Sequence, residues 1–244
     1  MRLRITFSKF GALRYTGHLD LQTTWERTVR RAGLPLTYTH GFHPGPRIQI
    51  ASALPLGFIG RAEIVDIWLQ EDNLGVDLCV DPGKGTRAGS GADTCHFVVQ
   101  AGHPYMDVLQ PAAPPGLTIA SVEQVDEAGP ALQTQVASAE YQVTLLDPMD
   151  EQELVSHLTA ALKAVSLPRQ RRGKSYDLRP LIEELTLIPT PPPMGEGQGV
   201  RVFMRLAARE GATARPEEVL DVLGVPFEST RIERTRLILK TEIG

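Results

Sequence analysis

The chain has 244 residues, 42% of them apolar, so it is long enough to bury one large core or two small ones. It has no apolar run of about eighteen residues, which predicts no membrane span. Its only cysteines, Cys79 and Cys95, are too few for a disulfide framework, so the expected compartment is a reducing cytoplasm. Residues 1–4 lead directly into a strand-like alternation, which is unlike a signal peptide.

The net charge of −4 conceals three blocks of different sign. Residues 1–70 hold nine lysines and arginines against four acids, a net +5. Residues 71–160 hold two against fourteen, a net −12, and residues 161–244 hold fourteen against eleven, a net +3. Basic blocks of this kind indicate a polyanionic partner, although solvated surface arginines would give the same pattern.

The first half of the chain has the pattern of one compact unit. Residues 2–8 alternate between apolar and polar, which predicts a half-buried strand. A helix with one apolar stripe is predicted from about His18 to Ala32 and should end at Gly33. Residues 71–104 lack any periodicity and predict a long loop or irregular insert. The other elements predicted here are strands over 36–40, 47–54, 62–69 and 117–125 and a short helix over 103–110.

The same order of elements repeats after a predicted linker at 126–138. A strand over 140–146 precedes a helix from about Asp150 to Val165, which Asp147 or Asp150 caps. The remaining predictions are strands near 169–175, 183–189, 200–206 and 230–239, a Pro/Gly-rich loop between 189 and 199, and a short helix over 216–223. Both halves read β-α-β-β-α-β, so the predicted fold class is α+β, with two tandem ferredoxin-like (split βαβ) units and antiparallel sheets. Their predicted bounds are 1–128 and 138–244.

Two groups of candidate RNA-binding residues lie in the first unit. Arg27, Arg30 and Arg31 fall on the polar side of the first helix, where guanidinium groups could bind phosphate. A solvated face with an ordinary Glu26–Arg30 pair explains them equally well. The loop 41–47 is held by two prolines and two glycines and carries Phe42, His43 and Arg47, which suit base stacking and phosphate contact. A hairpin connection with a buried Phe42 is the alternative.

The third group lies in the second unit, in the run 169–176. Four bases in six residues and a following tyrosine are typical of a loop that tracks phosphates. Its candidate residues are Arg171, Arg172 and Lys174, although a basic hairpin edge protected from aggregation has the same composition. Arg14 and Tyr15, ahead of the first helix, complete the set as a phosphate contact and a stacking ring.

Several runs of the chain resemble one protein family, the radical SAM-linked proteins, a domain of unknown function. The similar runs include Gly17-His18-Leu19-Asp20-Leu21, Arg30-Arg31-Ala32-Gly33-Leu34-Pro35, Gly41-Phe42-His43-Pro44 and Leu54-Pro55-Leu56-Gly57 in the first half. In the second half they include Arg171-Arg172-Gly173-Lys174, Asp177-Leu178-Arg179-Pro180 and Arg231-Ile232-Glu233-Arg234-Thr235. The resemblance covers most of the chain except 71–104, where the family has a helix. The family also has Asn, His and Lys where this chain has His43, Gly45 and Arg47.

The resemblance implies a partner more than a reaction. Members of this family are encoded beside, or fused to, a radical SAM protein, often near an endoribonuclease and ribosomal protein genes, and no catalytic residues are established for them. A radical SAM enzyme needs three clustered cysteines for its iron–sulfur cluster, and this chain has two. The expected function is therefore that of a non-catalytic, cofactor-free accessory protein that holds an RNA substrate, tRNA or rRNA, for a radical SAM enzyme.

Two other functions fit the sequence. By analogy of architecture alone, tandem ferredoxin-like units resemble CRISPR repeat-processing endoribonucleases. In that hypothesis His18 is the general acid or base, and Lys9 or Arg14 stabilises the phosphorane. A purely protein-binding subunit is the other alternative, with the acidic middle block docking a basic partner. No metal site is predicted, because the histidines do not show the spacing of a zinc framework.

Overall fold

The computed structural model describes residues 1–70, 104–188 and 200–242. Two sequence predictions therefore lie outside the described residues: the irregular insert, apart from Pro104, and the Pro/Gly-rich loop at 189–199. Cys79 and Cys95 lie outside them too. Among the helices of the described ranges, none combines the length and apolar character that a membrane crossing needs.

The first unit is a four-stranded antiparallel sheet with two main helices. Strand β1 pairs with β3 on one side and with β4 on the other, and β2 pairs with the far edge of β3. The order β4-β1-β3-β2 is that of a split βαβ unit. The elements are β1 (Arg2–Lys9), a 3-10 helix (Gly11–Tyr15), α1 (His18–Arg31), β2 (Ile48–Ile50), β3 (Ile59–Trp68), α2 (Pro104–Ala112) and β4 (Leu117–Val125).

The second unit repeats this arrangement after one helical turn, α3 (Leu132–Gln135). Its sheet has the order β11-β5-β9-β8, again antiparallel throughout, with a short β10 on the edge of β9. The elements are β5 (Val136–Leu145), α4 (Glu151–Lys163), β6 (Pro168–Arg171), β7 (Lys174–Asp177), β8 (Ile182–Ile188), β9 (Arg201–Arg209), β10 (Ala212–Thr213), α5 (Pro216–Val222) and β11 (Thr230–Leu239). Strands β6 and β7 form a separate hairpin.

The predicted α+β class with two ferredoxin-like units is thus confirmed. The two sheets also join, since β11 runs parallel to β3 and pairs with it at Ile59 and Gly60. The result is one continuous nine-stranded sheet, and we call the β3–β11 junction the seam. The unit bounds 1–128 and 138–244 stay a prediction.

Local sequence signals explain where the main helices begin and end. Helix α1 stops in a Schellman motif, in which the Leu34 and Gly33 amides donate to the carbonyls of Val29 and Arg30. Gly33 has a φ of 72°, which glycine adopts at little cost. At the start of α4, the carboxylate of Asp150 accepts a 2.9 Å hydrogen bond from the Gln152 amide, as the sequence predicted.

Several predicted segments differ from the structure. The strand predicted over 47–54 is reduced to Ile48–Ile50, and the single strand predicted near 169–175 is the hairpin of β6 and β7, which turns at Arg172 and Gly173. The strand predicted over 36–40 is reduced to single bridges, Leu36 to Leu69 and Tyr38 to Pro46, because its backbone groups bond alternately to β3 and to the following loop. The predicted linker 126–138 is shorter than expected. Strand β5 starts at Val136, which pairs with Leu239, so long-range pairing takes over the end of that segment.

Candidate nucleic-acid interface

The arginines of α1 stand on its solvent side, opposite the buried Leu21, Trp25 and Val29. Arg27 and Arg31 are exposed and form no ion pair or hydrogen bond with the described residues. Arg30 is 67% exposed and lies 3.4 Å from the Glu26 carboxylate, so the predicted i,i+4 pair is present. Such an exposed pair contributes little to stability and can open to bind another anion.

In the loop 41–47, Phe42 is fully exposed and His43 is exposed as well. The alternative of a buried Phe42 is therefore wrong. Arg47 is partly committed, because its guanidinium carbon lies 4.6 Å from the Trp68 ring centre and its terminal nitrogen 3.8 Å from Glu127. Its side chain is nevertheless 38% exposed and remains within reach of solvent.

The basic run at 169–176 forms the β6–β7 hairpin, and its cations differ in their surroundings. Arg171 is held by Glu218, with Nε 3.0 Å from the carboxylate, and it donates to the Thr213 carbonyl and the Tyr176 hydroxyl. Arg172 and Lys174 are exposed and have no partner within the described chain. Arg172 and Gly173 both have positive φ, 49° and 76°, as a two-residue type I′ turn requires. The turn therefore presents two free cations, while Arg171 holds the hairpin to α5.

The residues of the endoribonuclease hypothesis are not equally accessible. Lys9 is 1% exposed, and its ammonium donates a 2.8 Å hydrogen bond to the Thr16 carbonyl. Burial lowers the pKa of Lys9, and the charge of Glu63 opposes that shift. His18 opens α1 and is half-buried. A phosphorane could not reach the Lys9 ammonium without a local opening of the chain, which weighs against this role for Lys9.

Two ion pairs, one of them buried, link the two units at the seam. Arg234 is 2% exposed and makes a two-point contact with Glu63, with Nε 2.7 Å from Oε1. It also donates to the carbonyls of Ser52 and Ala53. Burial alone would lower the pKa of Arg234, yet the charge and hydrogen bonds of Glu63 outweigh it and raise that pKa. Arg61 adds a second link across the seam, 2.7 Å from Glu233.

Beside the seam lies a cavity of about 270 Å³, which we call the seam cleft. Both units line it, with Arg14, Tyr15, Gly57, Phe58, Leu146, Thr230, Arg231 and Ile232. Tyr15 is 61% exposed, and the Arg14 guanidinium lies over its ring at 4.7 Å. The Arg14 Nε is enclosed and has no hydrogen-bond acceptor, and Arg231 is exposed without a partner among the described residues. Two guanidinium groups that form no ion pair with a carboxylate of the described ranges thus face one cleft.

Sequence reasoning placed Arg14 and Tyr15 among the binding candidates but missed Arg231. The structure brings these three residues together in the seam cleft. The α1 arginines, the loop 41–47 and the hairpin turn do not line this cleft. Arg231 belongs to the run 231–235, which contributes to the family resemblance but was not among the predicted binding residues. The sequence does contain a signal for Arg231. It alternates with apolar residues such as Ile232 along a predicted strand, and this alternation predicts that the Arg231 side chain faces outward.

Comparison with known proteins adds a family. The family described as "Uncharacterized protein conserved in bacteria (DUF2344)" matches residues 2–78 and 100–216. A search of the curated proteins returns no match.

Among solved structures, similar chains occur in a Cbf5-Nop10-Gar1 complex, with 8% identity and a TM-score of 0.47, and in an H/ACA RNP bound to a substrate RNA containing 2'-deoxyuridine, with 10% and 0.41. A similar chain also occurs in an archaeal box H/ACA sRNP Nop10-Cbf5 complex, with 10% identity and a TM-score of 0.41. These alignments cover 95–96% of this chain and 47–48% of the others, so the chain spans about half the length of the solved chains it matches.

Proposed function

Since this chain belongs to the DUF2344 family, whose description names no activity, we propose that it is a non-catalytic RNA-binding accessory protein with a radical SAM enzyme as its partner. The observation that carries the RNA-binding part is the seam cleft, where Arg14 and Arg231 come from different units and have no carboxylate partner among the described residues. The radical SAM partner is supported by the family resemblance alone.

The chemistry of the seam cleft suits a nucleic-acid backbone. A guanidinium without an acidic neighbour keeps its full charge for a phosphate and can donate to a phosphate oxygen. The Arg14 guanidinium lies over the Tyr15 ring and donates a 2.5 Å hydrogen bond to the Tyr15 hydroxyl, which limits the side-chain entropy that Arg14 loses on binding. The exposed part of the same ring is available to stack on a base.

Other candidates extend this proposal over the surface. Among the candidate residues from the sequence, those that are exposed and have no partner in the described chain are Arg27, Arg31, Arg172 and Lys174, and each can add an electrostatic contact to phosphate. Arg30 and Arg47 can contribute after releasing weak partners. We leave Arg171 and Lys9 out of the proposed surface, because their donors are already committed inside the fold.

A filter-binding assay with total RNA at rising salt tests the proposal. We expect salt-sensitive retention by the wild-type chain, with a slope that falls by about 1 in Arg14→Gln and again in Arg231→Gln, as for one lost phosphate contact each. Lys163→Gln is the control, because it removes the same charge from the exposed last turn of α4. Absence of salt-sensitive retention at low micromolar protein would refute RNA binding.

Co-purification tests the partner. The radical SAM protein should remain bound to the tagged chain after nuclease treatment if the contact is direct. A complex that disappears with nuclease would show that RNA bridges the two proteins, against a direct partnership. A complex that persists in a chain without any RNA retention would instead favour the purely protein-binding subunit.

The endoribonuclease alternative has its own test. The chain is incubated with structured RNA in EDTA, and we expect no cleavage. Cleavage that His18→Ala removes would displace the non-catalytic proposal, whereas cleavage that survives in His18→Ala would point to a contaminating nuclease.

A further inference from the structure

The sheet of the second unit has two different faces. Val143, Val202 and Ile232 belong to the core that α4 and α5 cover. The residues that alternate with them face the other way and are half-exposed or exposed. Cross-strand pairing places Thr144 between Arg201 and Arg231, and Gln142 between Phe203 and Glu233. We call the surface formed by Gln142, Thr144, Arg201, Phe203, Arg231 and Glu233 the open face.

The charges on this side of the sheet are distributed unevenly. Arg205, further along β9, is neutralised by Glu140 at 2.7 Å and Glu184 at 3.1 Å. Arg201 and Arg231 have no ion pair or hydrogen bond with the described residues, and the Nε of Arg201 is enclosed without an acceptor. The end of the open face that meets the seam cleft therefore carries uncompensated positive charge and favours an anion.

The ring of Phe203 lies next to Arg201 on the open face. Phe203 follows Arg201 by two residues, so both side chains point to the open face. Phe203 is half-buried and belongs to neither hydrophobic core of the described chain, so part of its ring is accessible on the open face. Beside it, the Gln142 side chain has no hydrogen-bond partner within the described residues. A ring, a free amide and adjacent guanidinium groups on one sheet surface are the groups that recognise an unpaired nucleotide.

We infer that the open face is a platform for single-stranded nucleic acid, an inference that rests on the proposed RNA binding and adds the form of the strand. A base stacks on Phe203, and the amide of Gln142 meets the base edge. Arg201 and Arg231 contact phosphates, and the strand continues from Arg231 into the seam cleft. A duplex could supply the phosphates but not the base, because its bases are stacked on one another.

Two matched pairs of variants test the platform by fluorescence anisotropy with a short labelled RNA strand. Phe203→Leu should weaken binding roughly ten- to hundred-fold, whereas Phe203→Tyr, which keeps a stacking ring, should bind like the wild type. Arg201→Gln should lower the salt slope by about 1. Arg205→Gln, the same change on the same strand, should leave the slope unchanged, because this arginine is already paired.

The wild-type chain supplies a test that does not depend on the folding of any variant. The same RNA is presented as a single strand and annealed to its complement, and we expect the single strand to bind at least about tenfold more tightly. Equal binding of both forms, or unchanged affinity in Phe203→Leu, would overturn the platform while leaving the proposed function intact. Loss of salt-sensitive retention for every RNA would overturn the proposed function itself. Equal affinity for a DNA strand would support the platform and refute a specific role for RNA.

Discussion

The buried pair between Arg234 and Glu63 lends itself to a quantitative prediction about the seam. Arg234→Met keeps most of the aliphatic volume of the side chain but removes five hydrogen bonds, to Glu63, Ser52 and Ala53. Removing one partner of a buried ion pair costs about 3–5 kcal/mol. Lys9 stays close enough to Glu63 to offset part of the orphaned charge. We therefore expect a loss of about 3–4 kcal/mol in the free energy of unfolding.

Urea unfolding measures this loss, and the chain offers a matched control. Arg236→Met makes the same substitution two residues along β11, where the side chain is 57% exposed and pairs with Glu242, so its cost should stay within about 0.5 kcal/mol. In thermal melts, Arg234→Met should lower the midpoint by about 10 °C. Shifts of equal size in the two variants would refute the view that the Arg234–Glu63 pair stabilises the seam.

The same experiment reports whether the seam couples the two units. Trp25 and Trp68 both lie buried in the first unit, so tryptophan fluorescence follows that unit, while far-UV circular dichroism follows both. In the wild type the two signals should change together, as in a two-state transition. In Arg234→Met they should separate, because each unit then unfolds with its own stability. Coincident transitions in the variant would mean that backbone pairing alone couples the units.

Two further substitutions test local packing and charge. In Gly60→Ala the new Cβ would lie 2.5 Å from the Glu63 Cγ, so we expect the free energy of unfolding in urea to fall by about 1–3 kcal/mol. Gly45→Ala is the control, because its new Cβ would lie 3.9 Å from the nearest neighbouring atom and should leave the stability unchanged. An unchanged midpoint in Gly60→Ala would contradict this packing. Burial alone would raise the pKa of Glu218, but hydrogen bonds from Arg171 outweigh it and hold that pKa below its ordinary value. The pair therefore stabilises the fold above the ordinary pKa of a glutamate and stops doing so as the pH falls through the lowered pKa of Glu218. Arg171→Gln should cost about 1–2 kcal/mol at neutral pH and less in acid, and a pH-independent cost would refute the pairing.

Local pattern in the sequence predicts much of the fold. The alternation of 2–8 predicts β1, the stripe of Leu21, Trp25 and Val29 predicts α1, and Asp150 caps α4 as expected. These signals depend on residues within one or two turns of each other, where periodicity reflects which side of an element is buried. The repeated order of elements then indicates two ferredoxin-like units.

Local patterns do not predict the seam. Glu63 and Arg234 are separated by 171 positions, and the residues around each of them do not indicate that the two side chains pair. One local hint exists, since Arg234 shares the inward-facing side of β11 with Ile232, an unusual place for an unpaired charge. The hint indicates that a partner is needed but does not say that β3 provides it.

For the candidate interface, the sequence shows which residues are cationic or aromatic and predicts roughly which element carries each. Which of these cations remain available depends on contacts that form in the fold. Arg171 and Arg172 are adjacent and equally basic, yet one is held by Glu218 and the other points into solvent. Arg14 and Arg231 come from opposite ends of the chain and meet in one cleft. This difference arises because the charge of a side chain is a local property, whereas its compensation depends on partners that folding brings together.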